Sequence, residues 1–237
     1  MTESYSPAND RGISGGALKI IAVITMLIDH IGAVFLRSPI PYYTCRLIGR
    51  IAFPIFAFLL VEGFFHTKNL KKYCLRLALF ALISEVPFDL AFHRTYLYRE
   101  SQNVFFTLLI GLLTIAAIDY IKHTFADREF VSFGCQILLI SGGMFLAWLL
   151  KTDYHAVGVA VIFLFYQFHQ KKTMSSIYAC LILFLSLPLE IASFAAVPLI
   201  CCYNGKRGIS VKYFFYLFYP VHLLLLSFFN AAGASFL

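Results

Sequence analysis

Long apolar runs separated by short polar loops constrain this chain more than any other feature. The first run, residues 17–36, has the length that crosses the hydrocarbon core of a bilayer as one helix. Hydrophobic residues make up 60% of the 237 residues, charged residues make up only 13%, and the mean hydropathy is +0.80. Because so few polar side chains cannot cover a water-soluble surface, the sequence predicts an all-α, polytopic integral membrane protein.

The apolar runs predict about nine transmembrane helices that pack as a single bundle. These helices are expected at residues 17–36, 46–65, 71–92, 103–121, 131–150, 154–168, 177–187, 189–203 and 211–229. The two short segments on either side of Pro188 are also compatible with one long helix kinked at Pro188 and Pro198, which would leave eight crossings. Residues 1–16 are polar, so we expect a cytoplasmic segment there, followed by one transmembrane domain at residues 17–237.

The basic residues predict the orientation in the membrane. With nine crossings, most Lys and Arg residues fall in the loops on one side, and such loops are usually cytoplasmic. The sequence therefore predicts an inner-membrane protein with a cytoplasmic N-terminus. The net charge of +7 is explained by this orientation, so we expect contacts with membrane lipids and none with nucleic acid. The six cysteines lack metal-binding spacing, which predicts buried thiols and no metal site.

Titratable residues within the apolar runs mark the candidate site. Asp29 and His30 lie inside the first run, where burial of ionisable groups is costly and usually serves a function. In the predicted topology, further polar residues from five other segments reach the same outer half of the membrane: Arg46, Arg50, Glu85, Asp89, Asn103, Tyr154, His155, Tyr219 and His222. Their convergence predicts either a reaction centre or a buried polar network that is fully satisfied.

The spacing of the first pair predicts its partners. Neighbouring side chains on a helix point about 100° apart, so Asp29 cannot orient His30 directly. We expect Asp29 to pair with Arg50 or Arg46 on the second helix. We expect a more distant acid, Glu85 or Asp89, to hold the imidazole of His30.

Histidine is the natural general base near neutral pH, and His30 is the first candidate. His222 is an alternative base, or a core histidine that bonds a nearby carbonyl. A basic turn at residues 204–208 contains Lys206 and Arg207, and Lys212 follows it. This turn could hold the phosphates of a cytosolic cofactor, or it could serve only as a positively charged anchor.

Six segments carry a family resemblance: LKIIAVITMLIDHIG, RLIGRIAFPIFAFLLVEGF, FALISEVPFDL, QNVFFTLLIGL, DYHAVGV and FYLFYPVHL. They resemble the TraX family of fimbrial assembly or conjugal-transfer proteins, whose namesake acetylates the N-terminus of F-type pilin. The resemblance spans the first to the ninth predicted helix. It implies functional roles for Asp29, His30, Arg50, Pro54, Asn103, Tyr154 and His222. The chain is also more distantly similar to membrane acyltransferases that use cytosolic acyl-CoA.

Together, the residues and the resemblance predict an N- or O-acetyltransferase. We expect an acetyl group to pass from acetyl-CoA, or another acyl-CoA, to an amine or hydroxyl of a peptide or glycan at the outer face. Arg50 or Asn103 would stabilise the oxyanion. Substrate would contact Arg46, Tyr154, His155 and Tyr219, and the donor phosphates would contact Lys206, Arg207 and Lys212. Both direct transfer and an acyl-histidine intermediate are compatible with the sequence.

Two other classes of function remain open. The same acids and histidine could form the relay of a proton-coupled transporter or a lipid flippase. The chain could also be a non-catalytic assembly factor for a pilus or another envelope structure. The sequence does not determine the oligomeric state.

Overall fold

The computed structural model describes residues 12–208 and 212–233. Within these ranges the chain forms helices and no β-strand, which confirms the all-α prediction. The α-helices are α1 (Gly15–Phe35), α2 (Pro39–Gly49), α3 (Ala52–His66), α4 (Leu70–His93), α5 (Val104–Thr124), α6 (Glu129–Leu149), α7 (His155–Gln167), α8 (Lys172–Ser186), α9 (Ala196–Cys201) and α10 (Lys212–Ala231). A 3₁₀ helix (Pro188–Ala195) precedes α9.

The helices have the apolar surface of a multi-pass membrane protein. Five helical stretches in the described chain are long and apolar enough to cross a bilayer: Gly15–Phe35, Pro39–His66, Val104–Thr124, Glu129–Leu149 and Phe214–Ala231. On α6, Phe130 is 90% exposed and Leu138 is 73% exposed, as expected for side chains that face lipid. Helix α4 has 24 residues but is not among these five stretches, and the other apolar helices are shorter, so a total of nine crossings stays a prediction.

The predicted second helix is divided into α2 and α3 at Arg50. The break follows from Pro54, which lacks an N–H group and whose ring would clash with the carbonyl of Arg50, four residues earlier. The N–H groups of Arg50 and Ile51 instead bond the carbonyls three residues before them, at 3.2 and 3.3 Å. The helical path also begins seven residues before the predicted start, because Pro39 suits the first position of a helix.

The seventh and eighth predicted helices form an irregular segment. Helix α8 ends at Ser186, and Pro188 begins the 3₁₀ helix that leads into α9. Proline is favourable at this first position and prevents α8 from continuing. The structure therefore contains two separate short segments on either side of Pro188, as the first of the two predictions has it, although the second segment is a 3₁₀ helix that continues into a short α-helix.

Backbone hydrogen bonds between loops define the two ends of the bundle. At one end, the N–H of Gly15 donates to the carbonyl of Lys206 at 2.9 Å. At the other end, the N–H of Gln102 donates to the carbonyl of Lys151 at 3.0 Å, which joins the loops before α5 and α7. An apolar core fills the space between, and its fully buried members include Leu18, Ile55, Leu112, Ile162 and Leu183.

Candidate functional site

A cavity of about 380 Å³ lies at the end of the bundle that contains the Gln102 loop. In the predicted orientation this is the outer end. Polar residues of the wall are Asp29, His30, Tyr42, Arg46, Arg50, His93, Ser101, Asp153, Tyr154 and Tyr219. Aromatic residues of the wall include Phe53, Phe56, Phe88 and Phe92. The structure thus collects polar groups from several helices and loops into one partly apolar cavity, which is typical of small-molecule sites.

Asp29 pairs with both of the arginines that the sequence offered as partners. Its Oδ2 atom lies 2.5 Å from Arg46 Nη1, and its Oδ1 atom lies 2.9 Å from Arg50 Nη2. Asp29 is only 5% exposed, so the two guanidinium groups compensate a charge that is almost removed from solvent. Gly49 permits this approach, because a Cβ atom at that position would overlap the Asp29 carboxylate.

Glu190 extends this ion network and was missed in the sequence analysis. Its Oε1 atom lies 2.8 Å from Arg50 Nη1, and the residue is 2% exposed. Arg50 therefore bridges Asp29 on α1 to Glu190 on the 3₁₀ helix. An acid inside the apolar run of residues 189–203 was the available signal, since buried acids in membranes usually have a partner and a role.

His30 is held by another histidine. Its Nδ1 atom lies 2.8 Å from Nε2 of His222, and the planes of the two rings are nearly parallel, with an interplanar angle of 7°. The prediction that Glu85 or Asp89 holds this imidazole is wrong, because the two acids bond elsewhere. His222 is not part of the cavity wall, whereas His30 is.

The hydrogen-bond partners assign the protons of this histidine pair. His222 Nδ1 lies 2.7 Å from the carbonyl of Phe218, which can only accept, so Nδ1 carries the proton. In neutral His222, Nε2 is then an acceptor, and His30 Nδ1 must donate to it. Neutral His30 is left with an unprotonated Nε2 atom. The pair therefore presents a base on the residue that lines the cavity.

Asn103 has a capping role in place of the catalytic role we expected. Its Oδ1 accepts from the N–H of Phe105, and its Nδ2 donates to the carbonyl of Ala81 and to Glu85. Both amide hydrogens are used, so Asn103 has no donor left for an oxyanion. This N-cap also explains the position of Glu85, whose Oε2 lies 2.5 Å from Asn103 Nδ2.

Asp89 is completely buried and stabilises the loop before α5. Its Oδ2 atom accepts from the N–H of Tyr98 at 2.7 Å. The ring of Tyr98 stacks on His93 with centroids 3.7 Å apart, and His93 lines the cavity. Asp89 and Glu85 therefore support the surroundings of the cavity and do not face its interior.

The loop between α6 and α7 has an unusual backbone. Lys151, Tyr154 and His155 have φ angles of 52°, 62° and 44°, in the left-handed region that non-glycine residues seldom adopt. Such conformations persist only where the surroundings fix them, and they occur often at functional sites. Tyr154 stacks on Phe53 with ring centroids 3.8 Å apart and lines the cavity.

His155 differs from its neighbour. It is exposed and is not part of the cavity wall, so the structure does not place it with the other predicted substrate contacts. Arg46, Tyr154 and Tyr219 do lie in the wall. Tyr154 and His155 are adjacent, but their side chains point in different directions, so only Tyr154 reaches the cavity.

Burial alters the acid–base properties of the loop residues. Burial raises the pKa of the Tyr154 hydroxyl well above its ordinary value, and the guanidinium of Arg50 opposes this shift. Tyr154 is therefore a neutral hydroxyl donor at physiological pH. Burial also raises the pKa of Asp153, again opposed mainly by Arg50.

Residues 14–230 match the family model described as TraX protein. The chain belongs to the TraX family. This TraX-family chain is 32% identical over 238 residues to the probable fimbrial assembly protein FimC, serogroup H1, of Dichelobacter nodosus, covering 88% of this chain and 92% of the relative.

A second relative of this TraX-family member is an uncharacterized protein of Rickettsia prowazekii (strain Madrid E). It is 25% identical over 172 residues, which cover 72% of this chain and 62% of the relative. No solved structure matches the chain. The family resemblance stated from the sequence motifs is confirmed.

The basic turn of this TraX-family protein lies at the opposite end from the cavity. The carbonyls of Lys206 and Arg207 accept from the N–H groups of Gly15 and Gly16, each at 2.9 Å. The turn thus caps the first turn of α1 through backbone oxygens. His30 lies fifteen residues beyond Gly15, about 22 Å along the helix axis.

The predicted phosphate contacts are therefore far from the cavity. A donor held by Lys206 and Arg207 must span most of the bundle to reach His30. Helix α10 begins at Lys212, but its side chain lies outside the described part of the chain. Within the described residues, no group of three or more His, Cys, Asp or Glu side chains is arranged to hold a metal ion.

Proposed function

We propose that this TraX-family protein is an integral-membrane acyltransferase whose reaction takes place in the cavity at the outer end. The donor is an acyl-CoA, with acetyl-CoA the first candidate, and the acceptor is an amine or hydroxyl. The observation that carries the proposal is the His30–His222 pair, which leaves an unprotonated ring nitrogen on the cavity-lining member.

His30 acts as the general base. As the acceptor attacks the thioester carbonyl, its proton passes to His30 Nε2, and the protonated ring is stabilised by its hydrogen bond to His222. Collapse of the tetrahedral intermediate breaks the carbon–sulfur bond. His30 then returns the proton to the leaving thiolate, which completes the cycle with an acylated acceptor and free CoA thiol.

Arg46 is a better candidate than Asn103 for stabilising the oxyanion. Its side chain is 24% exposed, lines the cavity and bonds Asp29 through a single Nη atom. Arg50 is more fully engaged, since it also bonds Glu190 and the carbonyl of Arg46. The neutral hydroxyl of Tyr154 is a second donor in the same wall. Donors fixed in advance of the reaction stabilise developing charge without reorganisation.

The name of one relative supports an acceptor in the cell envelope. The Dichelobacter nodosus relative is named as a probable fimbrial assembly protein. We therefore propose a pilus-related or other envelope peptide as the first acceptor to test, with the protein in the inner membrane and its N-terminus in the cytoplasm. Acyl-CoA would then approach from the cytoplasmic end, and its thioester would reach the cavity through the bundle.

Purified protein in lipid nanodiscs, supplied with isotope-labelled acetyl-CoA and candidate envelope peptides, tests the proposal. Mass spectrometry should find labelled acetyl on a peptide with the wild-type protein and with His123→Ala, a control at an exposed histidine. Transfer should be lost in His30→Ala. Equal transfer in His30→Ala would overturn the proposed role of His30. Proton-dependent flux of a substrate without a covalent product would identify a transporter.

A further inference from the structure

We propose that Asp153 is the residue that binds the nucleophilic group of the acceptor, by accepting a hydrogen bond from its N–H or O–H. The inference rests on the proposed acyl transfer and extends it to a residue that the family resemblance did not single out. Asp153 and His30 line the same cavity, so a group held by the carboxylate lies in the space that the base serves.

The position of Asp153 is fixed by its backbone. Its N–H donates to the carbonyl of Gln102 at 2.9 Å, and its carbonyl accepts from the hydroxyl of Thr107. Thr107 is fully buried on α5. Thr152, the residue before Asp153, is also fully buried. These contacts maintain the left-handed backbone at Tyr154 and His155. A strained loop that is held by several contacts fixes the position of its side chains, including that of Asp153.

The carboxylate of Asp153 retains capacity to bind a ligand. Among the residues that the structure describes, its hydrogen-bond donor is the N–H of Tyr154, which reaches Oδ1 at 3.1 Å. No ion pair to a described Lys, Arg or His engages it, and Oδ2 remains available to a ligand. The nearest basic residue in sequence, Lys151, pairs with Glu100 instead. A half-buried carboxylate normally has a compensating hydrogen-bond or ion-pair partner, so we interpret Oδ2 as the atom that binds a ligand.

The charge balance of the cavity points to the kind of group that fills it. Two guanidinium groups, Arg46 and Arg50, face the two carboxylates of Asp29 and Glu190 in direct ion pairs. Asp153 is the additional acid in the same wall. The ion network is thus balanced without Asp153, whose charge favours a hydrogen-bond donor and favours a positively charged donor most strongly. An amine bound as ammonium releases one proton to solvent before its nitrogen attacks, and the proton lost during attack passes to His30.

A binding measurement without any acyl donor tests this inference separately from catalysis. Propylamine, which is protonated at neutral pH, and propanol form a matched pair of probes. Ligand-observed NMR would measure both with the protein in nanodiscs. Wild-type protein and the control Asp127→Asn, which changes an exposed acid at the opposite end of the bundle, should bind the amine more tightly than the alcohol.

Asp153→Asn should weaken binding of the amine by about tenfold or more and binding of the alcohol by less, because the charge-assisted hydrogen bond is lost. Asp153→Ala should weaken both. Circular dichroism and gel filtration would show whether each variant is folded, and Asp153→Glu should restore part of the preference in a folded protein. An equal amine-to-alcohol preference in Asp153→Asn and the wild type, or no binding to the wild type, would overturn the inference. If acyl transfer is absent but the Asp153-dependent preference for the amine persists, only the proposed function is overturned.

Discussion

The ring nitrogens of His30 and His222 lie 2.8 Å apart, although the residues are separated by 192 positions in the sequence. The carbonyl of Phe218 fixes the tautomer of His222, and His222 in turn fixes the tautomer of His30. A mobile side chain on the cavity wall thereby becomes an oriented base. This relationship connects the helix packing to the proposed chemistry.

Replacing His222 should therefore affect the reaction through His30. His222→Phe removes the acceptor of the His30 Nδ1 proton, so we expect acetyl transfer to fall, by less than the roughly 100-fold or greater loss in His30→Ala. His222→Gln, which has an acceptor oxygen, should recover part of the activity. Steady-state rates measured over a series of pH values would show both effects. Full activity with an unchanged pH profile in His222→Phe would contradict this role.

Breaking the buried ion network should destabilise the protein strongly. Arg50→Leu leaves Glu190 without its cation and Asp29 with only Arg46, so we expect a loss of about 3–5 kcal/mol in the free energy of unfolding. Arg37→Leu is the control, since Arg37 is exposed and its change should cost less than about 1 kcal/mol. Denaturant unfolding in detergent would compare them. Equal stabilities would show that the network contributes little.

Two glycines should respond in opposite ways to alanine. At Gly49 a Cβ atom would overlap Asp29, so Gly49→Ala should cost about 1–3 kcal/mol and reduce acetyl transfer. At Gly142 on α6 nothing lies within 4 Å, so Gly142→Ala should be neutral or stabilising by up to about 1 kcal/mol. Thermal unfolding of the two variants would measure the contrast, and a tolerated alanine at Gly49 would argue against the close approach of α1 and α2.

Stability should depend on pH through Asp153. Burial raises the pKa of its carboxyl above the unfolded value of about 3.9, with Arg50 opposing the shift. Between the two pKa values the folded chain retains a proton that the unfolded chain has released, so this contribution to stability is lost as pH rises. The melting temperature of the wild type should therefore fall relative to Asp153→Asn as pH increases from about 4. A difference that stays constant, or that grows in favour of the wild type, would contradict this expectation.

The pairing of Asp29 could be predicted because a buried acid requires a cation and two arginines follow closely on the next helix. The role of Asn103 was misjudged, since its place at the start of an apolar helix is also the signature of an N-cap. Glu190 was missed because the 3₁₀ helix after Pro188 disrupts the helical period on which the sequence analysis relied. The His30–His222 contact depends on long-range packing, which no local pattern encodes.

Catalysis of covalent acyl transfer by His30 in the outer cavity is the step on which the proposed function depends. Mass spectrometry of envelope peptides and glycans from cells producing the wild type, His30→Gln or no protein tests it most directly. We expect a species heavier by one acetyl group that is present with the wild type and absent from the other two samples. The same acetylated species at equal abundance in His30→Gln cells, or no acylated product in wild-type cells, would contradict the claim.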